Sequence, residues 1–420
     1  MRGCLGLFFG LCVASSAQAT LDIEITGAGE HQTPISVVRF GGEERIAGQT
    51  ISSVVSNDLL RTGLFKLVDP AGKAPHEPGE VKYVEWPGVE ALIIGSVRVL
   101  GDGRAEVRFR LLDAVRQTEL IALAVTAKSD QVRAIGHRIA DLVYEKLTGS
   151  AGVFSTRIAY VNREGRQYRL VVADSDGYGE QTLLSLNEPI MSPAWSPDGK
   201  QIAYVSFERG HATVFVQSLA TQKRTVLADF SGSNSAPAWS PDGRQLAIVL
   251  TRDGSSQLYL VGADGKDLRR ITFSETIDTE PTFSPDGKSL LFTSDRGGKA
   301  QIYRVAVEGG YAERLTFEGG NNFSPRFSPD GKSFVYSQFS GGTFYIAVQD
   351  FESKQVQILT PGGWEKKPSF APNGKLILFA TESQGRGILA TVSSDGRVKQ
   401  KMVAQRGDIR EPVWGPFLKQ

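Results

Sequence analysis

Four histidines (His31, His76, His137, His211), two cysteines and a recurring set of aspartates are the side chains with which this chain could do chemistry. Serine nucleophiles in hydrolase folds sit on a Gly-x-Ser-x-Gly elbow, and the sequence has none. Zinc catalysis on a helix needs His-Glu-x-x-His, whereas these histidines are scattered. His137 falls off the apolar side of its helix and is expected to be solvated. Asp198, Asp242, Asp286 and Asp330 resemble a carboxylate ring, but each is the third residue of Ser-Pro-Asp-Gly. In that turn proline presets φ, the aspartate bonds to nearby backbone and glycine tolerates positive φ. These aspartates are therefore expected in hairpin turns, at the periphery of a repeated unit and on one face. Thr293-Ser294-Asp295-Arg296-Gly297-Gly298 reads as a loop between strands, and Thr26-Gly27-Ala28-Gly29 lacks the lysine of a phosphate loop. No catalytic residue, cofactor or metal is expected. The chain reads as a binder, not an enzyme.

The unit that carries those turns repeats. Pro193, Pro237, Pro281, Pro325, Pro368 and Pro412 are spaced by 44, 44, 44, 43 and 44 residues. Two places after each stands an aromatic: Trp195, Trp239, Phe283, Phe327, Phe370 and Trp414. After each turn come three further strand-like runs, such as Leu246-Ala247-Ile248-Val249, Gln257-Leu258-Tyr259-Leu260 and Arg269-Arg270-Ile271-Thr272. Four strands per roughly 44 residues is the pattern of a β-propeller blade. Ile158-Ala159-Tyr160-Val161 matches Ile202-Ala203-Tyr204-Val205, yet no Pro-x-aromatic strand precedes it. That strand appears at the far end as Glu411 to Pro416. The expectation is six blades over residues 151–420, the last closed by the C-terminal strand, which removes open sheet edges.

Residues 20–150 lack the period and read as a separate α/β domain. A strand near Ile35–Phe40 precedes a helix from about Ile46 to Thr62, with Gly63 as its C-terminal cap. Strands follow near Ala91–Val99, Glu106–Asp113 and Leu120–Ala127, then a helix capped by Ser129 that stops at Gly149. Pro70–Pro87 reads as an exposed loop, and the domain is expected to pack on one propeller face. Ahead of it, Arg2, the apolar Leu5–Val13 and Ala17-Gln18-Ala19 form the three parts of a secretory signal peptide, cleaved after Ala19. Both cysteines, Cys4 and Cys12, leave with it, so no thiol, disulfide or cysteine metal site remains. Losing Arg2 takes the formal charge from +1 to zero, which gives no electrostatic reason to bind nucleic acid or an anionic membrane.

Binding residues are sought where the repeat varies. The pairs ahead of the marker prolines differ from blade to blade: Met191-Ser192, Ser235-Ala236, Thr279-Glu280, Phe323-Ser324, Lys366-Lys367 and Arg410-Glu411. In a propeller they enter the innermost strands and converge on one mouth of the channel. Varied side chains on a constant frame suit a recognition surface, with Lys366 among its residues and Phe323 and Trp364 as aromatic anchors. The segment Leu21-Asp22-Ile23-Glu24-Ile25 alternates like a strand. It could add to a partner's sheet, dock on its own protein, or open the α/β domain.

Met191-Ser192-Pro193-Ala194-Trp195-Ser196-Pro197-Asp198-Gly199, Val143 to Gly149, Thr293 to Gly297, Ala371-Pro372-Asn373-Gly374 and Trp414-Gly415-Pro416-Phe417 together resemble the TolB family of the Tol-Pal system, over essentially the whole chain. The resemblance implies a periplasmic adaptor that binds the lipoprotein Pal at the propeller mouth and TolA through its N-terminal segment. It implies a role in outer membrane integrity and in constriction during cell division, peripheral attachment to the outer membrane through Pal, and a mouth that bacteriocins exploit. By position the Pal surface would include Ser233, Asn234, Ala236, Thr279 and Glu280, and the TolA segment would begin at Thr20. Ser233 stands where some family members carry histidine. A monomer is expected. The alternative is a propeller that holds a small ligand or serves a hydrolase as an accessory domain.

Overall fold

The computed structural model describes residues 23–26, 32–45, 50–402 and 406–418. Its period-44 sequence becomes six antiparallel sheets around one axis. Five are continuous in the chain, beginning with the blades Ile190–Ala228 and Asn234–Arg270 and ending with Lys366–Met402. The sixth joins the last strand, Asp408–Trp414, to Arg157–Glu164, Gln167–Asp174 and Gln181–Leu186, with Trp414 opposite Ile158. The expected closure is what forms. Trp414 is 6% exposed, and its indole Nε1 donates to Thr156 Oγ1 at 2.8 Å. Apolar second and third strands such as Leu246–Val249 and Leu258–Val261 are buried on both faces, because each blade packs between two others.

The Ser-Pro-Asp-Gly turns form a network repeated four times. Each serine Oγ donates to the aspartate Oδ1 (2.5–2.6 Å), and that oxygen accepts the backbone N–H two residues on (3.0–3.1 Å). Their position corrects the sequence expectation. They do not lie at the periphery but ring the second mouth of the channel, because they join the innermost strand of each blade to the next one. A Cβ on Gly243, Gly287, Gly331 or Gly374 would lie 3.3–3.8 Å from the turn proline of the adjoining blade. Positive φ at these glycines and this close approach both favour a residue without a side chain. The funnel they enclose, of about 210 Å³, is lined by Pro197, Pro241, Pro285 and Pro329 with Trp195 and Trp239.

The N-terminal domain is a five-stranded mixed sheet in the order Phe65–Leu67, Thr33–Val37, Ala91–Val99, Arg104–Asp113, Thr118–Lys128. Two helices, α1 (Ile51–Arg61) and α2 (Val132–Thr148), cover one face of it. Thr50 caps α1 by accepting from Ser53 N at 3.3 Å, and Gly63 follows it in the left-handed region. Gly149 ends α2 at φ +72. Ser129 does not cap α2. It opens a short 3-10 turn and its hydroxyl donates to Gly103 O instead (2.8 Å). The three-residue strand Phe65–Leu67 was too short to show a period. Among the described residues no helix is long and apolar enough to cross a membrane.

This domain sits on the face that carries the Ser-Pro-Asp-Gly turns. Asn373 Nδ2 donates to Ala151 O (2.9 Å), Arg61 Nη1 to Ser175 O (3.3 Å), and Gly63 lies against Val398. Ile23–Thr26 does not open the sheet of the α/β domain. It pairs antiparallel with Lys399–Met402, with Ile23 opposite Met402, as a fifth strand on the fifth blade. Of the three readings open from the sequence, docking on its own protein is the one observed; Thr20, Leu21 and Asp22 lie outside the described residues.

Candidate protein-binding site at the propeller mouth

The mouth opposite the N-terminal domain is built by one irregularity repeated six times. Each innermost strand slips register just before its marker proline, between Met191 and Ala194 in the first blade and between Arg410 and Val413 in the last. The residue at each slip has positive φ although none is glycine: Ser192 (52°), Ala236 (47°), Glu280 (55°), Ser324 (53°), Lys367 (55°) and Glu411 (53°). A side chain there costs on the order of 1–2 kcal/mol. Strain of this kind persists where surrounding structure overdetermines it, and it concentrates at sites. The bulge turns these six side chains into the channel throat. The residues one place earlier, Met191, Ser235, Thr279, Phe323, Lys366 and Arg410, are left at the rim, exposed or half-buried.

The throat is closed by charge. Glu280 accepts from Lys367 Nζ (2.5 Å), Ser324 N (2.7 Å), Ser324 Oγ (2.7 Å) and Thr293 Oγ1 (3.0 Å). Glu411 lies 3.6 Å from Lys367 on its other side, and Arg326 also lines the throat. Burial disfavours the Glu280 carboxylate, but Lys367 and the Ser324 donors override it and hold its pKa at about 2. Burial likewise opposes charge on Lys367, which Glu280 and Glu411 reverse, raising its pKa. Two carboxylates and two cations balance, and the space left, about 20 Å³, holds about one water. A small ligand does not fit this throat.

The expected contact residues separate by depth. Ser233 is exposed and Thr279 half-buried at the rim. Ala236 and Glu280 lie in the throat. Asn234 has no exposed surface and braces its loop, accepting from Phe230 N (2.9 Å) and donating to Phe230 O (2.8 Å) and Ala212 O (3.1 Å). Phe323 and Trp364 are half-buried at the rim. Phe323 contacts Phe344 at 6.4 Å between ring centroids, and Lys366 Nζ lies 3.9 Å from the Trp364 ring.

A second charged cluster lies at the domain joint, around a histidine that sequence reasoning expected in solvent. His137 is 2% exposed, not solvated. Its Nδ1 is 2.5 Å from Asp58 Oδ2, and Asp58 also accepts from Arg61 Nη2 (2.8 Å). Across the joint Arg133 binds Asp174 Oδ2 (3.2 Å) and Asp176. Burial opposes the imidazolium, yet Asp58, Asp174 and Asp176 outweigh it and raise the pKa to about 9. His137, Asp174 and Asp176 lie close enough to hold a metal, but the Arg133 guanidinium already spans both carboxylates. With His137 protonated, three cations (Arg61, Arg133, His137) balance three carboxylates. The group is an ion cluster that joins two domains. A helical period shows which face of α2 meets its own sheet, not that a second body covers the other.

Residues 21–120 match the family model of the TolB amino-terminal domain and residues 144–418 that of the TolB β-propeller domain. The chain is 61% identical over 419 residues to the Tol-Pal system protein TolB of Nitrosomonas europaea, covering 99% of this chain and 98% of that one. To the protein of the same description from Dechloromonas aromatica it is 62% identical over 413 residues, covering 98% and 97%. The crystal structure of TolB from Acinetobacter baumannii superposes with a TM-score of 0.87 at 36% identity, over 95% of this chain and 100% of that one.

Proposed function

This chain belongs to the TolB family of the Tol-Pal system, and from that premise we propose that it is a non-catalytic periplasmic adaptor which binds the lipoprotein Pal at the propeller mouth and TolA through its N-terminal segment. In this reading residues 1–19 are removed on export, and the mature chain supports outer membrane integrity and constriction during division. Bacteriocins would reach the same mouth. The observation that carries the reading is the strained ring at that mouth: six bulges, at a cost in backbone energy, present six different rim residues around a plugged throat. A plugged throat favours a macromolecular surface over a small ligand. The charge balance of the chain favours a protein over nucleic acid.

The test is binding of the periplasmic domain of Pal to the mature protein, measured by calorimetry. Thr279→Arg, at the rim and outside the ion network, is expected to weaken binding by tenfold or more while the melting temperature holds. Wild-type affinity in that variant would remove the mouth from the reading. Deleting residues 20–30 is expected to spare Pal and abolish capture of TolA. Undiminished TolA capture would refute the second half.

A further inference from the structure

Most charges around the mouth are already paired. In the first blade and the loop that leaves it Asp229 holds Arg209 (3.1 Å) and His211 (2.5 Å), and in the third the buried Asp278 holds Arg296 (2.8 Å). The fifth blade and the closing strand differ. Lys366 has no carboxylate partner among the described residues. Its ammonium instead lies between two aromatic faces, 3.9 Å from the Trp364 ring centre and 4.2 Å from that of Phe344. Arg410 stands over the same Trp364 ring at 5.6 Å.

None of the carboxylates nearest in sequence or space pairs with Lys366. Glu365 is 6% exposed and its charged neighbours are Lys399 and Lys401, on the other side of the strand. Asp408 is bound by Arg410 (2.7 Å), and Glu411 and Glu280 face Lys367. Partial burial, and after it the nearby charges of Arg410 and Lys367, depress the pKa of Lys366. Two rings fix where its head sits, so an incoming anion meets a donor already oriented.

We propose that Lys366, held by Trp364 and Phe344 and backed by Arg410, is the carboxylate-receiving corner of the mouth and takes an acidic segment of the protein that docks there. The proposal rests on the reading of the mouth as a protein-binding site and adds to it the chemistry of the partner's contact. Charge complementarity selects the occupant: an ammonium with no carboxylate partner among the described residues attracts an anion, and the flanking rings add apolar area for the stem of an Asp or Glu side chain.

The test is titration of the mature protein with the periplasmic domain of Pal at low and at physiological salt. Lys366→Glu is expected to lower affinity by more than tenfold, and Lys366→Ala by about tenfold. Lys366→Arg should stay within about threefold of wild type. Wild-type binding should weaken with added salt, and Lys366→Ala should lose part of that dependence. In the Lys366→Glu background, reversing individual Asp and Glu residues of Pal to Lys should recover affinity at one position. Because Lys366 makes no ion pair in the fold and only its ring contacts are lost, melting temperatures should move by no more than a few degrees. Wild-type affinity and salt dependence in Lys366→Glu would overturn this inference and leave the mouth reading standing. Failure of the wild-type protein to bind Pal at all would overturn both.

Discussion

At the scale of single residues, His137 and Glu280 carry opposite pH dependences. The folded pKa of His137 is raised from 6.5 to about 9, so its contribution is complete below pH 6.5 and is lost as pH rises through 9. That contribution is about 3 kcal/mol. Urea unfolding of the wild type should therefore show stability falling between pH 7 and 9.5, and His137→Ala should flatten that limb. At pH 7 the substitution is expected to cost about 2–4 kcal/mol, since Asp58 and Asp174 lose a buried cation. The folded pKa of Glu280 is depressed from 4.5 to about 2, so its share is present above pH 4.5 and disappears as pH falls through 2. Glu280→Gln is expected to lower stability at pH 7 and to narrow the gap to wild type at pH 2, read from the same unfolding curves. The positions of both residues were visible in the sequence. Their charged partners were not, because Asp58 and Lys367 lie 79 and 87 residues away in the chain.

At the scale of elements, the bulged innermost strand is the device that separates throat from rim. Its marker proline and aromatic were plain in the spacing. Its left-handed residue was not, because Ser, Ala, Glu and Lys give no local sign of positive φ. Ala236→Gly is expected to change stability by less than about 1 kcal/mol, since strain relief and added chain entropy oppose each other. Ala236→Val places a β-branched residue at φ 47° and is expected to cost about 1–2 kcal/mol, measured by denaturant melts. The docked strand Ile23–Thr26 is the other element whose place the sequence left open. Alternation is the same whichever edge a strand joins, so only the free edge at Lys399–Met402 decides. Deleting residues 20–30 should raise amide exchange at 399–402 without lowering the melting temperature of the propeller by more than a few degrees.

At the scale of the whole molecule, the ring is held shut by its last strand. Trp414 fills the core of the sixth blade, donates to Thr156 and receives support from Ser369, whose Oγ accepts the Trp414 N–H at 3.0 Å. Trp414→Ala is expected to cost about 3–5 kcal/mol in chemical denaturation. Ending the chain before Asp408 should leave an open edge at Arg157–Glu164 and replace one cooperative transition by a broad one, read by calorimetry. This closure was legible in the chain itself, because a repeat that starts one strand late and ends one strand over has a single economical solution. Number of blades, turn chemistry and the second domain follow from the chain alone, since period, turn residues and apolar alternation are local properties. What only the tertiary structure decided are the plugged throat, the buried charges of the domain joint and the unpaired Lys366. Each depends on which side chains from distant blades share one small space, and a linear pattern does not encode that pairing.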